Sequence, residues 1–118
     1  MIRGIGIDII ELERIKESNG ENDRLASRIL NDREREKYDI LKNPRRRVEF
    51  LAGRFAAKEA CAKALGKGIG KLSFKQIEVM NDTDGAPTLQ VVGYEEYTFF
   101  VSISHSRDYA VAQVIVEQ

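Results

Sequence analysis

The sequence holds one cysteine, Cys61, among its 118 residues. No disulfide can form within the chain, and a reducing, cytoplasmic setting is the expectation. Histidine is equally scarce, with His105 alone, and one His with one Cys does not make a usual zinc site. No stretch approaches the roughly 18 apolar residues that a membrane span needs. The opening Met1-Ile2-Arg3-Gly4-Ile5 has only a short apolar run, soon interrupted by Asp8, which argues against a secretion signal. There is no repeat, no low-complexity tract and no linker. The Gly-x-x-x-x-Gly-Lys-Ser/Thr loop is absent, and Ser104 and Ser106 beside His105 lack the Gly-x-Ser-x-Gly elbow of a serine hydrolase.

Net charge is absent too, with 19 basic and 19 acidic residues, but the balance hides a segregation. Residues 1–41 carry 8 basic and 10 acidic side chains, a net of −2; residues 42–75 carry 10 and 2, a net of +8; residues 76–118 carry 1 and 7, a net of −6. A basic middle in a neutral chain points to a locally bound anion rather than to a surface built for nucleic acid. A solvated helix face would explain the same numbers. With 42% hydrophobic and 32% charged residues, the chain has the composition and length to close one core unaided, as a single domain over 1–118.

Residues 3–10 read as a short strand rich in β-branched side chains, with Ile5, Ile7 and Ile9 expected to face a core and Gly6, Asp8 and Ile10 the other side. From Glu11 to about Leu41 the pattern is helical, broken near Ser18-Asn19-Gly20 and again at Asn31-Asp32, both plausible caps. Pro44 suits the first turn of a long helix to Leu65, which Gly66 ends, with Gly68 and Gly70 following. Residues 76–80 and 88–92 alternate as strands around a turn at 81–87, and Phe99–Ser104 and Tyr109–Val116 form a second pair. The fold class expected is α+β: an N-terminal strand, helices, then antiparallel strands.

Two carboxylates stand out. Asp8 interrupts an apolar strand, where it needs a partner or solvent; it could serve as a cap for the helix starting near Glu11. Glu59 lies in Phe55-Ala56-Ala57-Lys58-Glu59-Ala60-Cys61-Ala62-Lys63, at i, i+4 from Lys63 and among small residues that allow close approach; an ordinary surface ion pair is the plainer account. Two oxygen donors from separate elements, with room for water, suit Mg²⁺ completed by substrate phosphate oxygens. Lys63 could then neutralise a leaving pyrophosphate, with Arg45, Arg46, Arg47, Arg54 and Lys58 as further phosphate contacts. Gly66, Gly68 and Gly70, with Lys67 and Lys71, could cradle a phosphate. His105, between serines at a strand end, is more often a hydrogen-bonded structural residue than a base.

Three segments align in order and spacing with one family: Gly4-Ile5-Gly6-Ile7-Asp8-Ile9-Ile10 with Glu11-Leu12-Glu13-Arg14-Ile15; Arg54-Phe55-Ala56-Ala57-Lys58-Glu59-Ala60 through Lys63-Ala64-Leu65-Gly66; and Ser102-Ile103-Ser104-His105-Ser106 through Tyr109-Ala110-Val111-Ala112. Over nearly its whole length the chain resembles the small bacterial 4′-phosphopantetheinyl transferases that make holo acyl carrier protein. The resemblance implies transfer of the phosphopantetheine arm of coenzyme A to a serine of apo acyl carrier protein, releasing adenosine 3′,5′-bisphosphate and supporting fatty acid biosynthesis. It implies Asp8 and Glu59 as Mg²⁺ ligands and Glu59 and Lys63 as catalytic residues. Arg46, Arg54, Lys58, Lys63, Gly66 and His105 are implied at coenzyme A, and Arg14, Arg24 and Arg28 at the carrier protein. It also implies a homotrimer with interfacial active sites, acting without nucleic acid or membrane. Lys67 departs from the threonine frequent in relatives. The rival classes are a non-catalytic anion-binding module and an interaction protein that trimerises through its alanine-rich helix.

Overall fold

The computed structural model describes residues 1–67 and 71–118. Strand β1 (Ile2–Glu11) leads into α1 (Leu12–Asn19), α2 (Arg24–Ile29), α3 (Asp32–Ile40) and the long α4 (Pro44–Ala64). A 3₁₀ turn at Phe74–Gln76 opens the second half, followed by β2 (Ile77–Asn81), β3 (Pro87–Val91), β4 (Thr98–His105) and β5 (Tyr109–Glu117). Strands β1, β5 and β4 form an antiparallel sheet in that order, and β2 and β3 form a hairpin. The result is one α+β domain.

The expected helix boundaries have physical causes. Asn31 caps α3 with a complete capping box: its side chain accepts from the Glu34 amide, and Glu34 reaches back to the Asn31 amide. Asn43 caps α4 ahead of Pro44, and Gly66, at φ 69°, ends it. The start of α1 has no side-chain cap. Its first amide, on Leu12, donates instead to the Asp108 carbonyl at 2.8 Å, so Asp8 is not a helix cap.

Helix α4 runs over the inner face of the sheet. Ala56, Ala57, Ala60, Cys61, Ala62 and Ala64 are all buried, because β1 and β5 lie on one side and the β2–β3 hairpin on another. Burial pushes the Cys61 thiol up to about 12. A second apolar cluster joins α1, α2, α3 and the first half of α4 through Ile15, Ile29, Tyr38 and Leu51.

One expectation is reversed. Ile5, Ile7 and Ile9 are about 60% exposed in the chain, while Gly4 and Gly6 face α4. A methyl group at Gly4 would fall on the Ala64 carbonyl oxygen, and one at Gly6 on that of Ala60. The helix approaches the strand through its glycines, and so the isoleucines point outward. Ile5 and Ile9 pair across the sheet with half-buried Ile115 and Val111, Ile7 with exposed Gln113, and Ile115 in turn with exposed Phe100. The outer face of the sheet thus carries an exposed apolar row, with Phe100 to one side, interrupted by Gln113 and Ser102.

Candidate active site

Asp8 lies on the inner face of β1, opposite Ala112 of β5. The side chain of Lys63 crosses from α4 and donates to the Ile7 carbonyl at 2.9 Å and to Asp8 Oδ1 at 3.2 Å. Lys63 thus turns to Asp8 instead of forming the helical pair with Glu59 that spacing alone suggests. Glu59, one turn earlier on α4, is half-buried. Burial holds its carboxyl above the usual range, the negative charge of Asp8 raises it further, and Lys63 offsets part of the rise. The two carboxylates therefore share one electrostatic neighbourhood, with negative charge that a single lysine does not cancel. That donor set fits Mg²⁺. Among the described residues no group of three or more His, Cys, Asp or Glu is placed to hold a metal, so the other ligands would be water and phosphate oxygens, as Mg²⁺ prefers.

Glu59 also lines a cleft of about 460 Å³, together with Arg24, Leu25 and Arg28 of α2, Ser18, Phe55 and Phe74. The rings of Phe55 and Phe74 stack at 5.7 Å between centroids. The exposed arginines of α2 and the candidate metal carboxylate of α4, 31 residues beyond Arg28 in sequence, thus open onto one space. Arg14, on α1, is exposed and lines no part of this cleft. Ser18, Leu25, Phe55 and Phe74 carried no sequence signal for this role; only the packing of α2 and the 3₁₀ turn on α4 brings them together.

Arg46, Arg54 and His105 line a second cleft of about 340 Å³, with Glu49, Gly85 and Pro87 among its other walls. Arg54 is buried, lies 4.1 Å over the Phe50 ring and donates from Nη2 to Asn81 Oδ1 at 2.8 Å. Its Nε is buried with no partner among the described residues. A buried guanidinium N–H without an acceptor is costly, and it belongs to a residue that also lines this cleft. Asn81 also donates to the Gly85 carbonyl at 3.0 Å, so Arg54 steadies the β2–β3 turn that walls the cleft. Glu49 Oε2 accepts from Arg45 Nε at 3.2 Å and lies 3.7 Å from His105 Nδ1. The Arg45–Glu49 spacing of i, i+4 was a readable hint.

Other expected phosphate contacts are corrected. Lys58 is fully buried, and its ammonium donates to the Ile29 carbonyl at 2.6 Å, Glu34 Oε1 at 2.7 Å and the Phe74 carbonyl at 3.0 Å. With three donors engaged in the interior, Lys58 lines neither cleft, against the expected phosphate contact. Arg47 donates to the carbonyls of Tyr38 and Leu41 and to Asp23, with its guanidinium over the Tyr38 ring. Arg45 holds the carbonyls of Ser106 and Arg107. Lys58, Arg47 and Arg54 of the +8 segment thus brace the fold, which weakens the reading of a polyanion surface. Gly66 ends α4 just beyond Lys63 and lines neither cleft. Gly68 and Gly70, the other members of the expected glycine cradle, lie outside the described residues.

An alanine-rich helix carrying Glu59 and Lys63 is thus laid across a strand carrying Asp8. The family model of the 4′-phosphopantetheinyl transferase superfamily matches residues 4–114, and the chain belongs to that superfamily. A holo-(acyl-carrier-protein) synthase of a Geobacillus species is 56% identical, covering 100% of this chain and 98% of the relative. One from Oceanobacillus iheyensis is 53% identical, over 99% and 98%. The crystal structure of a holo-(acyl-carrier-protein) synthase from Bacillus anthracis, in complex with CoA (3′,5′-ADP), superposes with a TM-score of 0.90 at 52% identity, covering 100% of this chain and 98% of that one. Within the superfamily, the chain groups with the holo-(acyl-carrier-protein) synthases.

Proposed function

We infer that the protein transfers the 4′-phosphopantetheine group of coenzyme A to a serine of apo acyl carrier protein, releasing adenosine 3′,5′-bisphosphate. The observation that carries this, beside the full-length similarity, is that Glu59 neighbours Asp8 and Lys63 while opening onto the cleft of Arg24 and Arg28. Those arginines, with Arg14, suit the acidic surface of a carrier protein. Asp8 and Glu59 would hold Mg²⁺, which supplies neutralisation of the pyrophosphate charge when bound. The serine oxygen bonds to the β-phosphorus as the bond to the bridging oxygen breaks, and the departing electron pair leaves on the adenosine bisphosphate. Glu59 takes the serine proton as general base. Lys63 sets positive charge beside the departing phosphate. No covalent enzyme intermediate is needed.

Arg46, Arg54 and His105 are proposed to bind the phosphates of coenzyme A. Glu59 and His105 line different clefts of the chain, and the isoleucine row on the outer face of the sheet has no cover among the described residues. Both features favour a homo-oligomer in which a second copy completes each site, and the family resemblance points to a trimer. The setting proposed is the cytoplasm, in support of fatty acid biosynthesis; no helix among the described residues is long and apolar enough to cross a membrane. Mass spectrometry decides the function. With coenzyme A and Mg²⁺, the protein should add one phosphopantetheine arm to apo acyl carrier protein, and no gain in mass would overturn the reading. Asp8→Ala and Glu59→Ala should abolish transfer while keeping the circular dichroism of the parent; unchanged turnover would remove the metal pair.

A further inference from the structure

Lys58 and Glu34 form an ion pair with neither side chain exposed. The ammonium spends its three hydrogens on Ile29, Glu34 and Phe74. Both oxygens of Glu34 are also used: Oε1 accepts from the Asn31 amide at 2.9 Å, and Oε2 from the Val79 amide at 2.8 Å. Burying such a pair is a weak source of stability, since well-packed apolar residues of equal volume commonly do as well or better. What the pair does have is a particular set of addresses.

Ile29 is the last residue of α2, and its carbonyl is one that a helix end leaves without a helical partner. The same helix carries Arg24, Leu25 and Arg28, one wall of the cleft beside Glu59. Phe74 opens the 3₁₀ turn, and its ring is the second wall. Lys58 directly precedes Glu59 on α4, which with Phe55 forms the third. Three walls, each from a different part of the chain, are hydrogen-bonded to one ammonium or carried on its own helix. We propose that Lys58, seated by Glu34, is a positioning residue for this cleft: it fixes α2 and the 3₁₀ turn against α4, and so sets the distance from Arg24 and Arg28 to Glu59. This rests on the reading of the cleft as the side that receives the carrier protein.

Steady-state kinetics of the full-length protein test it, with coenzyme A and apo acyl carrier protein varied in turn and rates referred to folded protein. Lys58→Met should raise KM for the carrier protein by about tenfold or more, as small misplacements of a site do. KM for coenzyme A should stay within about twofold. An unchanged carrier KM, with loss confined to the folded fraction or shared equally by both substrates, overturns the proposal. Should Lys58→Met fail to fold, the double variant Glu34→Gln with Lys58→Met removes both charges and keeps an acceptor for one of the backbone amides. The same KM split is expected there. Amide exchange of the unaltered protein gives a second measurement. Apo carrier protein should slow exchange at Asn31 and Val79 and coenzyme A should not; no slowing by the carrier overturns the proposal. If the unaltered protein transfers no arm at all, the functional reading fails first, and that result is distinct from a normal enzyme whose Lys58 variant keeps its carrier KM.

Discussion

Asp23 sits in the left-handed region at φ 53°, just before α2, where a non-glycine residue needs support from its surroundings. It has that support. Tyr38 donates its hydroxyl at 2.7 Å, Asn19 its amide at 3.0 Å and Arg47 its guanidinium at 3.2 Å, with Arg35 at 3.7 Å. Burial by itself would raise the Asp23 carboxyl, but the hydrogen bonds from Tyr38 and Asn19 and the charges of Arg47 and Arg35 outweigh it and hold the group below its ordinary value. A depressed carboxylate stabilises the fold above its unfolded value, near pH ~4, and loses that contribution as pH falls through the folded one. Acid titration of the unfolding midpoint should therefore show a loss below about pH 4 that Asp23→Asn largely removes. The variant should also be less stable at neutral pH by about 1 kcal/mol. Nothing in the sequence marks Asp23, because its partners Tyr38 and Arg47 lie 15 and 24 residues away. Asp8, Glu59 and Lys63 were singled out by the family resemblance, since taken alone each carboxylate had an ordinary structural account. Lys58 was misread because a lysine among cations looks like surface until its burial is known.

At the level of elements, the contact between β1 and α4 decides where Asp8 meets Lys63. The strand, the four helices and the two later strand pairs were all readable from periodicity, caps and turns. The facing of β1 was not. Alternation identifies two faces without saying which is inner, and the larger side chains were the natural choice. The countersignal was in the small residues, since glycines at 4 and 6 match the alanines at 60 and 64. Gly6→Ala should place a methyl group against backbone that cannot move aside. The expected loss is about 2 kcal/mol or more in urea denaturation. Transfer should weaken with it, because Asp8 is displaced from Lys63 and Glu59. A stability equal to the parent would show that the helix can shift along the strand.

For the molecule as a whole, the apolar row on the sheet and the two separate clefts belong to one argument. Ile7→Glu puts a charge at the middle of the exposed isoleucine row. Analytical ultracentrifugation should report monomers for this variant and trimers for the parent, and the monomer should have lost transfer while keeping its helix content. Trimers reconstituted from a mixture of Glu59→Ala and His105→Ala chains should regain part of the activity, since some interfaces then carry an intact residue of each kind. Recovery of none would place Glu59 and His105 in the same chain's site.

Cys61, the only thiol, lies without exposure in the seam between α4 and the sheet, and its elevated proton affinity leaves almost no thiolate at neutral pH. The folded chain is therefore blind to alkylating reagents and to mild oxidants. It becomes reactive when α4 lifts away from β1. Labelling of this one sulfur keeps time for that opening, without any added probe: its rate in iodoacetamide, against denaturant, should follow the unfolding of the helix that carries Glu59 and Lys63.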